Sequence, residues 1–477
     1  MSLWLHEALA DEPVASTGEE ALPASADLCI VGGGFTGLWT ALHAKRLEPS
    51  ADVVVVDSGI CGGAASGRNG GFVMTAWSKF GTLRKLCGEA DALHYGHAAE
   101  AAIGDIDAFC TENHIDAEFH RTGWLWAATN PKQIDAWENT IDALAAAGER
   151  PYRRLAREEV EAISGSPVHL AGVFEPAVAT VHPGRLARGL RRTAIDAGVR
   201  VFEGTAVSEL GEGRPVELRT SRGVLRAGSV VLAISAWATE LPDIRRMLVA
   251  VASDVIATPP IGDRLAALGM ATGIAISDSR RLVHYYRTTE DGRMVFGKGG
   301  GGLAVGARIG PRFDRSDARA SQTVRHLHRI YPSLWDVSAQ QHWRGAVDYS
   351  LSGLPFVGPI AGQPNILAGV GFSGNGVGPS YVAGLALAEE ALGRDASRVP
   401  EALRRAPAGR FPPEPLRCVG GTVVRAAVAR KETAEDGDRR PDWATRALAA
   451  LDPTSFVDRG TAAAAAAQGR ANDSASH

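Results

Sequence analysis

Asp27-Leu28-Cys29-Ile30-Val31-Gly32-Gly33-Gly34-Phe35-Thr36-Gly37, then a mostly apolar stretch over 38–47, then Val53-Val54-Val55-Val56-Asp57, read as strand, glycine turn, helix and strand. A parallel strand buried on both faces is a short β-branched run without alternation, and 29–31 and 53–56 have that form. Gly32, Gly34 and Gly37 give the spacing G-x-G-x-x-G, with Phe35 and Thr36 before the last glycine. The first glycine permits a tight turn, the second lets the backbone approach a pyrophosphate, and the third lets helix and strand pack closely. Phosphates there meet the free N–H groups and the positive dipole end of a helix start. Asp57 ends the second strand 20 residues after Gly37, where a carboxylate can accept hydrogen bonds from a ribose diol. A bare glycine motif also occurs in ordinary strand-turn-helix units; the two flanking strands and the terminal acid make this one a dinucleotide site.

The motif alone does not separate NAD from FAD. Gly62-Gly63-Ala64-Ala65-Ser66-Gly67-Arg68-Asn69-Gly70-Gly71 follows the acid directly, a second run of small residues with one arginine. Such a run offers backbone amides and a cation to a second phosphate and leaves room for a flat ring. Here the sequence resembles the D-amino-acid-oxidase-like (glycine oxidase, sarcosine oxidase) family of FAD-dependent amine oxidoreductases, and Ser66 to Gly71 look most like its γ-glutamylputrescine-oxidase and aminophosphonate-oxidoreductase branches. The resemblance covers roughly residues 25–395. It implies FAD, bound noncovalently, with Ser66, Gly67, Arg68, Asn69, Gly70 and Gly71 at the cofactor.

A third motif, Trp343-Arg344-Gly345-Ala346-Val347-Asp348-Tyr349-Ser350-Leu351-Ser352-Gly353-Leu354-Pro355-Phe356-Val357-Gly358, resembles the family's W-x-G…T-x-D-x-x-P-x-[IV]-G segment. It leads to a strand over 365–370, a loop Gly371-Phe372-Ser373-Gly374-Asn375-Gly376-Val377-Gly378, and an Ala/Leu helix over 380–392. Reduction of a flavin puts negative charge on its pyrimidine end, and amides at a helix start stabilise such charge. The resemblance therefore adds Gly345, Gly371, Phe372, Gly374, Asn375, Gly376 and Val377 to the cofactor site. It also implies a strand over 200–207 beside the adenine, with Val207 touching it through its backbone, and a buried strand over 228–237.

At 477 residues the chain can bury a large core, and its 45% apolar and 22% charged residues are those of a globular protein. A net charge of -4 gives no general attraction to nucleic acid or anionic lipid. Cys29, Cys61, Cys87, Cys110 and Cys418 are scattered and form no C-x-x-C, which points to a reduced, cytoplasmic protein with no disulfide frame and no zinc site. Residues 1–26 carry Glu7, Asp11, Glu12, Glu19 and Glu20 without an apolar centre, unlike a signal peptide, and no stretch is apolar for long enough to span a bilayer. His94, His97, His114 and His120 lack the acidic partners and spacing of a metal site, so no metal is expected.

The expected fold is α/β: a Rossmann-like FAD-binding domain with an interleaved mixed-sheet substrate domain. The FAD-binding domain is placed at 1–85, 150–236 and 342–396, and the substrate domain at 86–149 and 237–341. Residues 397–477 read as a peripheral segment with a weak helix near 443–451 and a disordered alanine-rich end. In the substrate domain 281–287 and 293–297 pair through the Asp291-Gly292 turn. Alternation puts His284 with Tyr286 on one face and Tyr285 with Arg287 on the other, and leaves open which pair faces substrate.

By that resemblance the activity is oxidation of a small amine: a hydride leaves the carbon bearing nitrogen for flavin N5, and water hydrolyses the imine to an aldehyde or keto acid. Tyr286, Arg287, Arg344 and Asn375 are the substrate-side candidates, the two arginines as anchors for an anionic group. Gly378 stands where family members that bind α-amino-acid carboxylates have a basic residue, Asn375 where relatives commonly have His, and Ser352 where the aspartate of T-x-D is usual. The oxygen-activating lysine of sarcosine oxidases falls near Val295, with Lys298 just beyond. Oxygen is the expected acceptor. The alternatives are a flavin dehydrogenase using another acceptor and a nucleic-acid-modifying relative, which the net charge of -4 disfavours. No nucleic-acid or membrane partner is expected.

Overall fold

The computed structural model describes residues 1–12, 21–270, 273–407 and 409–452. The opening strand runs over Ser25–Val31, the glycine turn follows, and the helix Phe35–Leu47 returns the chain to Val53–Val56. These strands pair in parallel, and Val53, Val54, Val55 and Val56 are fully buried. That burial on both faces is what their β-branched composition foretells. The first sheet has the order Phe356–Ile360, Gln363–Val370, Gly223–Leu232, Ser25–Val31, Val53–Val56, Arg200–Phe202.

Two details of that sheet differ from expectation. The strand placed at 200–207 stops at Phe202; Glu203 and Gly204 turn, and Val207–Leu210 is a separate strand pairing with Val216–Thr220. The strand placed at 228–237 is the end of a longer one, Gly223–Leu232, after which Ser235–Glu240 is a 3-10 helix.

A second, eight-stranded sheet has the order Gln341–Ser350, Leu248–Ala257, Met294–Leu303, His284–Thr288, Ala275–Asp278, Trp124–Ala128, Ala171–Glu175, Arg153–Leu155. It therefore takes in 153–155, 171–175 and 341–350, three stretches expected in the cofactor domain. Conversely, the helix Glu89–Glu112 does not open the second domain. Its buried Ala92, Tyr95, Ala99, Ile103 and Ile106 recur at helical spacing and join the core around Leu38 and Trp39.

The two faces of the second sheet have different surroundings. Directly paired residues point to the same side, and side chains alternate along each strand. The pairs Trp124↔Glu175, Trp126↔Ser277, Ser277↔Tyr285, Tyr285↔Gly297, Gly297↔Val255 and Val255↔Trp343 trace one face across the sheet. This front face meets the second glycine run, where the Tyr285 ring packs edge-on to Phe72 at 6.1 Å. The back face carries Leu125, Ile276, Tyr286 and Phe296, which form a core with Leu327 and Ile330 of the helix Asp317–Ile330.

The N-terminal helix and the described part of the segment beyond 397 are built into this arrangement. The helix Leu3–Ala10 buries Leu3, Trp4 and Leu5, and Trp4 packs edge-on to Trp343 at 6.3 Å. The segment beyond 397 is less peripheral than expected: the helix Leu416–Asp436 docks on the back of the second sheet, where Glu432 accepts from the Leu282 N–H at 3.1 Å. Trp443–Ala449 follows as a short helix, and the alanine-rich tail over 453–477 lies outside the described residues.

Beneath the docked helix is a buried ionic cluster. Arg280 pairs with Asp278 at 2.9 Å and with Asp436, and His284 Nδ1 lies 2.7 Å from Asp278 Oδ2. Burial alone would raise the Asp278 carboxyl, but His284 and Arg280 hold it well below the usual carboxylate range. Replacing Arg280 by Met leaves Asp278 and Asp436 without their shared cation, a loss of about 3–5 kcal/mol for a broken buried pair. Denaturant unfolding of Arg280→Met measures that loss, and a change below about 1 kcal/mol would show the cluster to be solvated.

Candidate functional site

The nucleotide end is a cradle that tolerates no side chains. Gly32 has φ +109, and a β-carbon at Gly37 would lie 1.9 Å from the Gly32 carbonyl oxygen. The helix Phe35–Leu47 starts at Gly34 with no side-chain cap; Ser66 Oγ accepts the Phe35 N–H at 2.9 Å, and Thr36 is buried in the first turn. Asp57 stands at the end of its strand and accepts from the Gly33 N–H and the Gly59 N–H, each at 2.8 Å. Burial raises its carboxyl, and those two backbone N–H groups work against the rise. Asp57 thus ties the glycine turn to its own strand end. The Thr205 N–H donates to the Asp57 carbonyl at 2.6 Å, which brings the chain leading into Val207 alongside.

The second glycine run is held from several sides through its carbonyls. Ser2 Oγ donates to Gly67 O at 2.6 Å, Trp4 Nε1 to Asn69 O at 2.9 Å, and Trp343 Nε1 to Arg68 O at 2.9 Å. Asn69 Oδ1 accepts the Gly71 N–H at 2.7 Å and closes the loop on itself. Arg68 pairs with Asp314 at 2.6 Å and donates to Gly63 O at 2.9 Å and to Arg344 O at 3.2 Å, so it clamps the run to the edge strand of the second sheet, beside Gly345. A cleft of about 220 Å³ opens there between Ala64, Ala65, Arg68, Trp237 and Phe313.

The loop 371–378 of the third motif has the chain at 74–75 laid across it. Asp348 Oδ2 accepts the Gly371 N–H at 2.6 Å, and burial pushes that carboxyl up to about 6. Tyr349 bridges to Phe372, and Gly374 lies near the Tyr349 hydroxyl, at 3.7 Å from where its β-carbon would be. Gly376 and Val377 lead to the helix Pro379–Ala391, which has no side-chain cap. Asn375 Nδ2 donates to Thr75 O at 3.0 Å, while its Oδ1 is buried with no partner. The absence of a basic residue at 378 has a steric cause: a β-carbon there would lie 2.5 Å from the Met74 carbonyl oxygen.

The face assignment divides the substrate-side candidates. Tyr286 is on the back, in the core, with its hydroxyl against His169 Nε2, so it does not face the glycine loops. Arg344 is also on the back: it pairs with Asp254 at 2.6 Å and donates to Gly301 O at 2.9 Å and to Arg312 O, which leaves nothing to grip a substrate anion. Lys298 points the same way, toward Leu282 O at 3.3 Å and His284. Arg287 is on the front. It is fully buried under Gly71 and Trp4, donates to Val181 O at 2.6 Å and Thr288 O at 3.2 Å, and keeps Nη2 without a partner. Burial lowers its pKa to about 10.

Tyr285 shares the front with Arg287, as alternation placed it, whereas Ser253, Thr75 and Glu175 were not singled out from the chain. Tyr285 shares a 2.9 Å hydrogen bond with Ser253 and lies under Gly70, and burial keeps its hydroxyl protonated. Thr75 reaches Glu175, a fully buried acid at a strand end. Alternation across Trp124-Leu125-Trp126 was the available signal for that region; a lone glutamate at 175 carries none.

The residues fit FAD. Two helix starts without side-chain caps, a glycine cradle with no room for β-carbons, and a buried acceptor at Asn375 suit a dinucleotide with a ring N–H. Cys61 is buried behind Gly33, and burial and the Glu203 carboxylate push its thiol well above the usual range, so it offers no thiolate for covalent attachment.

Comparison with known proteins gives one consistent family. The DAO family, described as FAD dependent oxidoreductase, matches residues 27–390. The γ-glutamylputrescine oxidoreductase of Escherichia coli strain K12 is 30% identical over 375 residues, covering 78% of this chain and 84% of that protein. The glycine oxidase of Pseudomonas aeruginosa is 27% identical over 403 residues, covering 80% of this chain and 98% of that protein. Among solved structures, glycine oxidase from Geobacillus kaustophilus superposes with a TM-score of 0.64 at 21% identity, covering 78% of this chain and 96% of that one.

Asp57→Asn removes the charge while keeping the shape. It is expected to weaken FAD binding by about 1.5–3 kcal/mol, or roughly ten- to a hundredfold in Kd. Titration of apoprotein with FAD measures this, and an unchanged Kd would take the ribose from Asp57.

Proposed function

The chain belongs to the DAO family of FAD-dependent oxidoreductases, and from that premise we propose that it oxidises the C–N bond of a small amine, with oxygen as acceptor. The supporting observation is that the front face of the second sheet packs against the loops at 70–75 and 371–378: Tyr285, bonded to Ser253, lies under Gly70 and edge-on to Phe72, Arg287 lies under Gly71, and Tyr349 lies beside Gly374. FAD, held by these residues, supplies the two-electron acceptor for the carbon bearing nitrogen, and hydrolysis of the imine yields aldehyde or keto acid. The chain's own residues bind, orient and exclude water. Asn375 Oδ1 would accept from a ring N–H of the cofactor, the start of Pro379–Ala391 would offer N–H groups to its pyrimidine end, and the Tyr285 phenol, protonated by burial and bonded to Ser253, would lie on the substrate side.

The lysine expected for oxygen activation is not available from Lys298, which points to the back. Arg287 takes that part in this reading. It lies on the front, paired directly with Val295, and no carboxylate pairs with it among the described residues. A fixed, buried positive charge favours a species gaining negative charge beside it. The five free cysteines, among the described residues, support a reducing compartment, the cytoplasm. Among the described residues no helix is long and apolar enough to cross a membrane.

Anaerobic mixing with a panel of amines, amino acids and aminophosphonates is expected to bleach the flavin with at least one class, and a chromophore unmoved by every amine would overturn the reading. Arg287→Met is expected to slow reoxidation by air about tenfold or more while an artificial acceptor reoxidises it as before. Wild-type protein reoxidised slowly by air and quickly by the artificial acceptor is instead a dehydrogenase.

A further inference from the structure

Beyond Tyr285 the front face runs on to a second group of side chains that neither the fold nor the cofactor accounts for. Glu175 ends its strand opposite Trp124 and is fully buried. The carboxylate takes the Thr75 hydroxyl and also meets the buried Tyr152 hydroxyl, but among the described residues no lysine, arginine or histidine pairs with Glu175. Burial pushes its carboxyl up to about 7, and Glu100, which accepts the Trp77 Nε1–H at 2.5 Å, adds negative charge nearby. A buried carboxylate without a counter-cation costs stability unless a cation binds to it.

The walls around Glu175 are aromatic. Trp124 and Trp126 stack at 5.4 Å with an interplanar angle of 17°, and Tyr152 stands edge-on to both, at 6.5 and 6.4 Å. The Tyr152 hydroxyl is buried beside the Glu175 carboxylate, and burial and that carboxylate push it well above its usual range. The group is also joined to the flavin loop, because Thr75 offers its hydroxyl to Glu175 and its carbonyl to Asn375 Nδ2 at 3.0 Å. An alkylammonium is stabilised by aromatic faces and by a carboxylate together, and neither a carboxylate nor a phosphonate has a counter-charge here.

We propose that Glu175, with the rings of Trp124, Trp126 and Tyr152, forms a subsite for an alkylammonium group, the non-reacting cationic end of a diamine-type substrate. The assignment of that ligand as substrate rests on the amine-oxidoreductase reading; the binding site itself does not. The Glu175 carboxylate supplies the counter-charge, the rings line the methylene chain and the cation, and Thr75 couples occupancy to the loop at Asn375.

The first measurement is calorimetric titration of the holoenzyme with butyltrimethylammonium chloride, a cation with no N–H to lose. Saturable binding is expected in the wild type, weakened about tenfold or more in Glu175→Gln and in Trp126→Leu, which removes a wall while leaving the acid. The second compares butane-1,4-diamine with 1-aminobutane: Glu175→Gln is expected to raise KM about tenfold or more for the diamine and to leave the monoamine nearly unchanged. No saturable heat in the wild type, equal affinity in both variants, or equal KM shifts for the two amines would overturn the subsite. Amines that bleach the flavin without ammonium binding would remove the subsite and leave the activity; ammonium binding that depends on Glu175 in a protein no amine bleaches would do the reverse. Should Glu175→Gln lose FAD on purification, Trp126→Leu decides alone.

Discussion

Among the helix starts in this protein without a side-chain cap of their own, those at Gly34 and at Gly378 belong to the glycine loops of the first and third motifs. An uncapped helix start exposes N–H groups that need an acceptor and carries the positive end of the helix dipole. The first start is held within reach of a pyrophosphate only because nothing larger than hydrogen fits at Gly37, 1.9 Å from the Gly32 carbonyl oxygen. The second is held because the Met74 carbonyl crosses it at a distance that excludes a β-carbon at Gly378. Much of the architecture follows from keeping these two backbone surfaces open and facing one ligand: the parallel strands that aim the first helix, the Asp348 carboxylate that fixes Gly371, and the second sheet that closes the space.

This explains which parts of the molecule were legible in the chain. A turn that needs φ near +109 at Gly32, or an approach that forbids a side chain at Gly37, writes itself into a few adjacent residues. The valine run 53–56 is as local, since burial on both faces demands it. The helix Leu416–Asp436 was hidden because its buried surface includes charge, Glu432 against Leu282 N–H and Arg280, rather than an apolar stripe. The helix Leu3–Ala10 was hidden because its role lies in long-range contacts to Asn69 and Trp343. Such partners are chosen by the fold, and no window of sequence contains both.

The face of a strand is the sharpest case. Alternation alone separates Tyr285 and Arg287 from His284 and Tyr286, but it cannot say which pair looks at the cofactor. Register decides it: Ser277↔Tyr285 and Tyr285↔Gly297 connect Tyr285 to the face under Gly70, and Ile276↔Tyr286 puts Tyr286 with the back core. The same parity moves Arg344 and Lys298 to the back, where the neighbouring strand presents Asp254 and the hairpin presents His284. Residues adjacent in sequence thus have opposite fates, one set by packing and the other by the cofactor.

The two faces also differ in how their charges are settled. On the back, Arg344 has Asp254 and Arg280 has Asp278 and Asp436, so desolvation is offset inside the protein. On the front, Arg287 and Glu175 are buried with no opposite charge paired to either among the described residues, and Asn375 Oδ1 is buried without a hydrogen bond. Packing for stability alone gives no reason to leave a cation, an anion and an acceptor unpaired along one surface, since each costs the full desolvation of its group. The cost is recovered when another molecule brings the missing partners. Arg287 and Asn375 are disposed around the glycine loops, which leaves Glu175, farther along the same face and without a counter-cation, as the group proposed to meet the substrate.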